Sequence, residues 1–286
     1  MHTILITGAS GFVGSRFVCR WGGAYRLLTP THAELDITDA DSVNSFFVNN
    51  RPDAVLHLAA ISNTGYCEEH PEESLLVNVQ GAVNVARAAA SCGAKLVFFS
   101  SDQVYNGNWE SGLLKEDVHL SPETVYARHK LQAEQLVAAA CPGSVILRAT
   151  WMYDKDVEGL PTHNNFVLNI RRAVAEKSLL MLPMREYRGI TWVREAVEML
   201  PYAFNLCGGV YNYGSENRLN TYETGCCFLE MLATGVKAET ILQPDIERYP
   251  LHERNISIST EKVVRASAYN ICFCDTLGGL RMFLEQ

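Results

Sequence analysis

Positive charge is in short supply in this chain. Its 24 Lys and Arg stand against 32 Asp and Glu, a formal net charge of −8 at pH 7. Without a basic run, such a chain is a poor partner for nucleic acid or for an anionic membrane surface. No apolar stretch approaches the roughly 20 residues that cross a bilayer. The opening, MHTILITGAS, enters an apolar run at once and lacks the basic start and apolar core of a secretory signal. Zinc and redox spacings are missing too: Cys226-Cys227 and Cys272/Cys274 do not have the two-residue gap of a knuckle or a dithiol pair, and no metal site is expected. The nine cysteines read as small buried apolar side chains in a reducing cytoplasm. Repeats, low-complexity tracts and a Gly/Ser linker are absent as well. What remains is a 286-residue chain, 48% hydrophobic and 20% charged, long enough for one large domain or a domain with a smaller lobe.

Short runs rich in Val, Ile and Leu alternate with longer helical patterns. The strands are expected at Thr3–Thr7, Tyr25–Thr29, Ala54–Leu58, Lys95–Ser101, Ser144–Arg148 and Gly209–Tyr213, with helices near Phe12–Trp21, Ala40–Asn49, Glu72–Ser91 and Glu123–Ala140. Continuously apolar strands alternating with helices predict an α/β fold, a doubly wound parallel sheet covered on both faces. After Arg148 the rhythm loosens. Helices are expected at Asn164–Lys177, Val193–Asn205 and Thr221–Thr234, loop over 236–259, and short helices beyond. Residues 1–147 read as a dinucleotide-binding domain. Residues 148–286 read mostly as a substrate lobe that lends the strand at 209–213 back to the sheet.

The first strand runs into Gly8-Ala-Ser-Gly11-Phe-Val-Gly14 and then a helix. Gly8 suits a tight turn, Gly11 lets a pyrophosphate approach the backbone, and Gly14 lets helix and strand pack closely. The helix N-terminus supplies N–H donors and a favourable dipole for the phosphates. Glycines alone signal little; their place between first strand and first helix gives them meaning. An acid ending the second strand would read the ribose of NAD, and a basic residue that of NADP. Here the strand ends Thr29-Pro30-Thr31-His32, with no carboxylate before Glu34. Thr31 and His32 could bond a 2′-phosphate, so NADP(H) is the preferred cofactor and NAD(H) the alternative.

Tyr126-Ala-Arg-His-Lys130 places two polar side chains one helical turn apart on one face. Reducing a ketone requires an acid for the forming alkoxide, and a tyrosine whose pKa is drawn down from about 10 by a neighbouring cation can serve. The strand ending Phe98-Phe99-Ser100-Ser101-Asp102 lies upstream and offers Ser101 to polarise the carbonyl.

These segments, in order, resemble the extended branch of the short-chain dehydrogenase/reductase superfamily. The GxxGxxG spacing, Asp36-Ile37 after short second and third strands, Ala59-Ala60 ending the fourth, and Asn78 on the next helix all match it. The resemblance implies a cofactor held by Gly8, Ser10, Gly11, Phe12, Val13, Gly14, Asp36, Ile37, Leu58, Ala59, Ala60, Asn78 and Ser100, with Tyr126 and Lys130. It sharpens toward the dTDP-4-dehydrorhamnose reductases. Ser100-Ser-Asp-Gln-Val-Tyr-Asn-Gly107 is similar to that family's Ser-Thr-Asp-Tyr-Val-Phe-Asp-Gly, Arg148-Ala-Thr-Trp-Met-Tyr153 to its Arg-Thr-Ser-Trp-Val-Tyr, and Arg188-Gly-Ile-Thr-Trp-Val193 to its (Gly/Arg)-x-Pro-Thr-Tyr-Val. Asn165-Phe-Val167 and the tail Arg254-Asn255…Ser259-Thr-Glu-Lys262 match as well. By this resemblance Ser101, Tyr126 and Lys130 are catalytic, while Asp102, Gln103, Val104, Trp151 and Arg188 meet the substrate, Arg188 at a nucleotide diphosphate.

The departures lie in the substrate half. Gln103 stands for the family's Tyr, Asn106 for its Asp, Arg185-Glu186 for its Asp-Gln and Ile190 for its Pro. Thr64-Gly65 stands for its Val-Asp, and His252-Glu253 for its Arg-Pro. The expectation is therefore a reductase of a nucleotide-activated 4-keto-deoxysugar whose particular sugar is open, compatible with a homodimer. Two alternatives stand beside it: an epimerase or dehydratase of the same branch, and a non-catalytic NADP-binding regulator, since a subunit of methionine adenosyltransferase also resembles this family.

Overall fold

Each early apolar run becomes a strand, and a helix returns the chain over the sheet. The computed structural model describes residues 2–286. Strands β1 (Thr3–Thr7), β2 (Arg26–Leu28), β3 (Ala54–His57), β4 (Lys95–Ser101) and β5 (Val145–Ala149) alternate with α1 (Phe12–Trp21), α2 (Ala40–Asn50), α3 (Thr64–Glu69), α4 (Pro71–Leu75), α5 (Ala82–Cys92) and α6 (Val125–Ala140). The remaining elements are β6 (Trp151–Tyr153), α7 (Phe166–Glu176), β7 (Leu180–Pro183), β8 (Glu186–Tyr187), β9 (Ile190–Trp192), α8 (Val193–Ala203), β10 (Gly209–Tyr213), α9 (Thr221–Met231), α10 (Ala238–Ile241), β11 (Leu242–Asp245), β12 (Arg254–Asn255), α11 (Glu261–Ala266) and α12 (Thr276–Leu284).

Six strands form one parallel sheet in the order β10-β5-β4-β3-β1-β2. The order reverses between β1 and β3, which opens a crevice at their carboxyl ends, the usual ligand position of a doubly wound sheet. Side chains alternate along the strands, and both faces are buried. Ile4, Ile6, Leu56, Val97 and Leu147 pack with Phe17 of α1 and Val197 and Leu200 of α8. Leu5, Val55, Leu96 and Ile146 pack on the opposite face with Val43, Val85, Ala89 and Val137 from α2, α5 and α6. The lobe has its own core around Phe166, Ile170, Trp192, Phe228 and Phe283. Two-stranded pairings support it: β6–β9, β7–β11 and β8–β12.

Several expectations need correction. Among the described residues no third strand intervenes before Asp36 and Ile37. The segment after β2 is a run of turns, with Glu34 bonded back to Thr31, Asp36 to Thr38, and Asp39 capping α2. Leu58–Ala60 therefore follow the third strand, not the fourth. The expected helix 72–91 is broken by a π-turn over Leu76–Gly81, of the kind often found at functional sites. Within 236–259, α10, β11 and β12 form where loop was expected. Of the nine cysteines, only Cys67 and Cys141 are buried, and Cys19, Cys92, Cys207 and Cys272 are exposed. Their helix-face and loop positions point outward, so most are not core residues. No helix among the described residues is long and apolar enough to cross a membrane.

Candidate active site

The glycine loop builds a cradle that other residues would fill. Gly8 lies at φ +71°, and a Cβ there would meet the Ala59 nitrogen at 2.7 Å. At Gly14 a Cβ would meet the Gly8 carbonyl oxygen at 2.4 Å. The N-cap of α1 is Gly11, which has no side chain to cap it. The first-turn N–H groups of Phe12, Val13 and Gly14 therefore remain for an anion. Ser10 is exposed at the rim of this loop. A dinucleotide pyrophosphate fits this donor set.

Thr7 and the backbone of Leu58 and Ala59 form the opposite wall. Leu58 N donates to the Thr7 carbonyl (3.1 Å) and Ala59 N to Thr7 Oγ1 (3.4 Å). The side chain of Asn78, 1% exposed, accepts from Ile61 N (2.8 Å) and donates to Ile61 O (2.9 Å) and Ser74 Oγ (3.2 Å). It is committed to holding the chain after Ala60, so it shapes the crevice wall instead of reaching a cofactor. Ile37 is likewise buried, packed where a Cβ on Gly81 of the π-turn would stand. Asp36, half-exposed, uses one oxygen to accept from Thr38 N and Oγ1.

The ribose-reading end departs from expectation. Glu34 folds back so that Oε2 accepts from both Thr31 N (2.8 Å) and Thr31 Oγ1 (2.9 Å). These bonds hold the Glu34 carboxyl below its usual range. The Thr31 donors assigned to a 2′-phosphate are thus already engaged by a carboxylate. His32 lies exposed, 3.8 Å from Asp36.

Ser101 ends β4 and Tyr126 and Lys130 share the inner face of α6, which Thr124 caps by accepting from Ala127 N. All three are buried. Lys130 Nζ donates to the Phe99 carbonyl (2.8 Å) and lies 5.9 Å from the Tyr126 ring centroid. Burial pushes the lysine down to about 8, against the opposing pull of Glu134. Burial also drives the Tyr126 phenol above its ordinary value, against the smaller downward pull of the Ser101 hydroxyl. The expected depression of this tyrosine is not found, because desolvation outweighs the nearby groups. His57, beside Lys130, bonds Thr7 Oγ1 through Nδ1 (2.6 Å), and burial with the lysine charge holds it down to about 3. It is neutral at any working pH.

Ser100 points away from the cleft, since successive strand residues alternate faces. Its hydroxyl donates to Glu134 Oε1 (2.5 Å), which also receives Arg148. Val104 is corrected in the same way: its side chain is fully buried with Tyr105, Leu114, Ile256 and Ile258, so it is core and not a substrate-facing group.

The substrate half is polar and charged. Asp102 Oδ1 accepts from Ser101 Oγ (3.2 Å) and Gln103 Nε2 (3.3 Å). Its Oδ2 is buried without a partner, 3.6 Å from Arg188 Nη2. Burial pushes the Asp102 carboxyl up, against the pull of Arg188 and Arg254. Arg188 lies over the Trp151 ring at 4.9 Å. Asp102, Gln103, Arg188 and Trp151 are therefore gathered in one chain of contacts that starts beside Ser101. Not anticipated was Arg254, which reaches the same spot from the far end of the chain and bonds Gln103, Asn106 and Glu186. The tail motif drew attention to Arg254 in the sequence, but nothing local assigned it to the site.

The family model described as "RmlD substrate binding domain" matches residues 1–264. The chain belongs to this family. Among curated relatives, the spore coat polysaccharide biosynthesis protein SpsK of Bacillus subtilis is 27% identical over 80% of this chain and 79% of its own. The dTDP-4-dehydrorhamnose reductase of Aggregatibacter actinomycetemcomitans is 26% identical over 88% and 83%. The methionine adenosyltransferase 2 subunit beta of Xenopus tropicalis is 28% identical over 79% and 71%. Among solved structures, dTDP-4-dehydrorhamnose reductase from Bacillus anthracis, in complex with NADP, superposes with a TM-score of 0.86 at 24% identity, covering 100% of this chain and 99% of that one. The shared fold is the doubly wound parallel sheet with a smaller lobe.

Proposed function

We propose that this protein is an NAD(P)H-dependent oxidoreductase that reduces a nucleotide-activated 4-keto-deoxysugar. The observation that carries the reading is the convergence of Ser101, Tyr126 and Lys130 between an open glycine cradle and the cluster Asp102–Trp151–Arg188. Residues 1–147 hold the cofactor, and 148–286 supply most of the substrate contacts. The cofactor, when bound, supplies the hydride. Ser101 and Tyr126 bond the ketone oxygen, and Tyr126, kept protonated by burial, gives its phenolic proton to the alkoxide as it forms. Lys130, anchored on Phe99 O, has further donors for the nicotinamide ribose. Arg188 grips the sugar-linked diphosphate, since a guanidinium can hold two oxygens at once. The relative solved with NADP supports NADP(H) as the preferred cofactor. The Glu34 carboxylate at Thr31 favours NAD(H) as a working alternative. The same reading makes it a cytoplasmic biosynthetic enzyme.

The test is a panel of nucleotide-linked 4-keto sugars with NADPH and NADH. The expected result is stoichiometric cofactor oxidation with one of them. Turnover without net oxidation would instead mark an epimerase or dehydratase. The likeness to a methionine adenosyltransferase subunit gives a second reading, a cofactor-binding regulator. That reading stands if both cofactors bind and no sugar is turned over. Arg188→Ala should raise KM much more than it lowers kcat, because a diphosphate is bound alike in ground and transition states.

A further inference from the structure

Three of the positions where this chain departs from the resemblance, Gln103, Asn106 and Glu186, are the three acceptors of a single guanidinium. Arg254 Nη2 donates to Gln103 Oε1 (2.6 Å), Nε to Asn106 Oδ1 (3.3 Å) and Nη1 to Glu186 Oε1. Glu186 is 6% exposed and is also held by Thr221 Oγ1 (2.9 Å) and Tyr249 OH (3.3 Å). These three departures are therefore one coupled interaction that ties the loop after β4 to β8 and β12.

This interaction has a direction. With its carbonyl oxygen on Arg254, the Gln103 amide must turn Nε2 toward Asp102 Oδ1. Ser101 donates to that same oxygen. When a ketone claims the single Ser101 proton, Gln103 still keeps its donor on Oδ1, and Oδ2 is left as a buried acceptor without a hydrogen-bond partner. Arg188 covers it at 3.6 Å, yet no hydrogen bond fixes the Arg188 side chain among the described residues. An Arg188 drawn onto a diphosphate uncovers Oδ2. Asp102 is the neighbour of Ser101, so a ketone oxygen at Ser101 brings the adjacent carbon's hydroxyl within reach of Asp102.

We propose that Arg254 is a positioning residue for specificity: by orienting Gln103 it presents Asp102 Oδ2 to the hydroxyl on the carbon next to the ketone, so the site selects α-hydroxy ketone sugars. The inference rests on the reading of the protein as a nucleotide-sugar reductase. A carboxylate oxygen prepared for one hydroxyl leaves a desolvated, unpaired group when that hydroxyl is missing, which penalises the deoxy analogue.

The experiment compares two nucleotide-linked 4-keto-6-deoxysugars, with and without a hydroxyl at C3, in steady-state kinetics. The wild type should prefer the hydroxylated sugar by about 10²-fold or more in kcat/KM. Arg254→Met alone strands the buried Glu186 carboxylate and risks the fold, so it is paired with Glu186→Gln. The double variant should melt in one transition and bind NADPH as the wild type does. Its preference should fall by about tenfold or more, through a higher KM for the hydroxylated sugar, while the deoxy sugar changes little. Gln103→Ala, which leaves Arg254 and Glu186 paired, should give the same loss of preference. A merely structural role would weaken both sugars alike. Retention of the wild-type preference in the folded double variant or in Gln103→Ala, or equal losses on both sugars, overturns the proposal for Arg254. A wild type that reduces neither sugar, or any other in the panel, overturns instead the functional reading beneath it.

Discussion

Replacing Glu134 by Leu should cost this protein about 3–5 kcal/mol of stability. Glu134 sits on α6, one turn beyond Lys130, with its side chain 2% exposed, and Arg148 on β5 faces it with a side chain 5% exposed. Arg148 meets the carboxylate through Nη2 (2.8 Å) and Nε (3.1 and 3.2 Å), and Ser100 adds a third donor at 2.5 Å. Glu134→Leu strands a desolvated guanidinium with only Tyr105 OH (2.9 Å) and Glu116 O (3.2 Å) as acceptors. Breaking a buried pair from one side costs about 3–5 kcal/mol, whereas replacing both members by apolar residues is often neutral. At about 2.1 cal/mol/K per residue, a chain this long unfolds with an entropy of roughly 0.6 kcal/mol/K, so Tm should fall by about 5–8 °C. The double variant Glu134→Leu/Arg148→Met should recover to within about 1 kcal/mol of the wild type, giving a coupling of at least about 2 kcal/mol in the cycle. Urea unfolding followed by circular dichroism supplies the free energies, and a thermal melt checks the shift. A single variant that melts within about 2 °C of the wild type would refute the reasoning, since Arg148 would then be satisfied without its carboxylate.

Other outcomes follow from the same geometry. Tyr126→Phe should lower kcat by about 10²–10⁴, as loss of a positioned acid does, while NADPH still stabilises the protein in a thermal-shift assay; unaltered turnover would remove Tyr126 from the chemistry. Lys130, at about 8 in the fold against 10.5 when exposed, gives opposite pH trends. Its buried charge costs stability in full below pH 8, and that cost is relieved as pH rises toward 10.5, because the unfolded chain binds the proton more tightly in this window. Activity should fall over the same rise as the charge is lost, and Lys130→Arg should shift the limb upward in a pH–rate profile. Glu34→Gln should move the NADPH/NADH ratio of kcat/KM toward NADPH by severalfold, since it removes the carboxylate held at Thr31; an unchanged ratio would place the 2′-phosphate elsewhere.

The sequence could be read where its information is local. The glycine spacing announces the cradle because each glycine answers a contact within the same turn or with the adjacent strand. Tyr126 and Lys130 were legible from helical spacing, and Ser101 from its place at a strand end. What the sequence did not reveal depends on chain segments far apart. Arg254 meets Gln103 across 151 positions, and nothing near either residue signals the pairing. Glu34 was within view, yet its bend back onto Thr31 depends on the turns that replaced an expected third strand. The resemblance assigns Asn78 and Ser100 to the cofactor by position in the pattern; burial and hydrogen bonding commit their side chains to Ile61 and Glu134. The helix expected over 72–91 hid a π-turn because that distortion leaves the apolar periodicity nearly intact.

The way the two halves are joined explains why the departures cluster as they do. The side proposed to be catalytic is anchored within the sheet and its covering segments: Lys130 on Phe99, Glu134 on Arg148 and Ser100, Asn78 on Ile61. All of these bonds stay within the six-stranded sheet, which includes Arg148 on β5, and the segments that cover it. The cradle helix is tied to the lobe by Arg16, whose Nε meets Asp154 Oδ2 at 2.7 Å while Nη1 reaches Pro161 O at 3.0 Å. Asp154 also receives Trp192 Nε1 at 3.2 Å, which fixes β9 and, through it, the segment carrying Arg188. The substrate side is closed by the Arg254 cluster, whose members come from the loop after β4, from β8 and from β12. On the proposed function, a change in that cluster alters what is offered to the sugar and leaves the Lys130–Phe99 bond untouched. Such a division lets one reduction chemistry be kept while the sugar it acts on changes, provided that the acceptors of Arg254 change together.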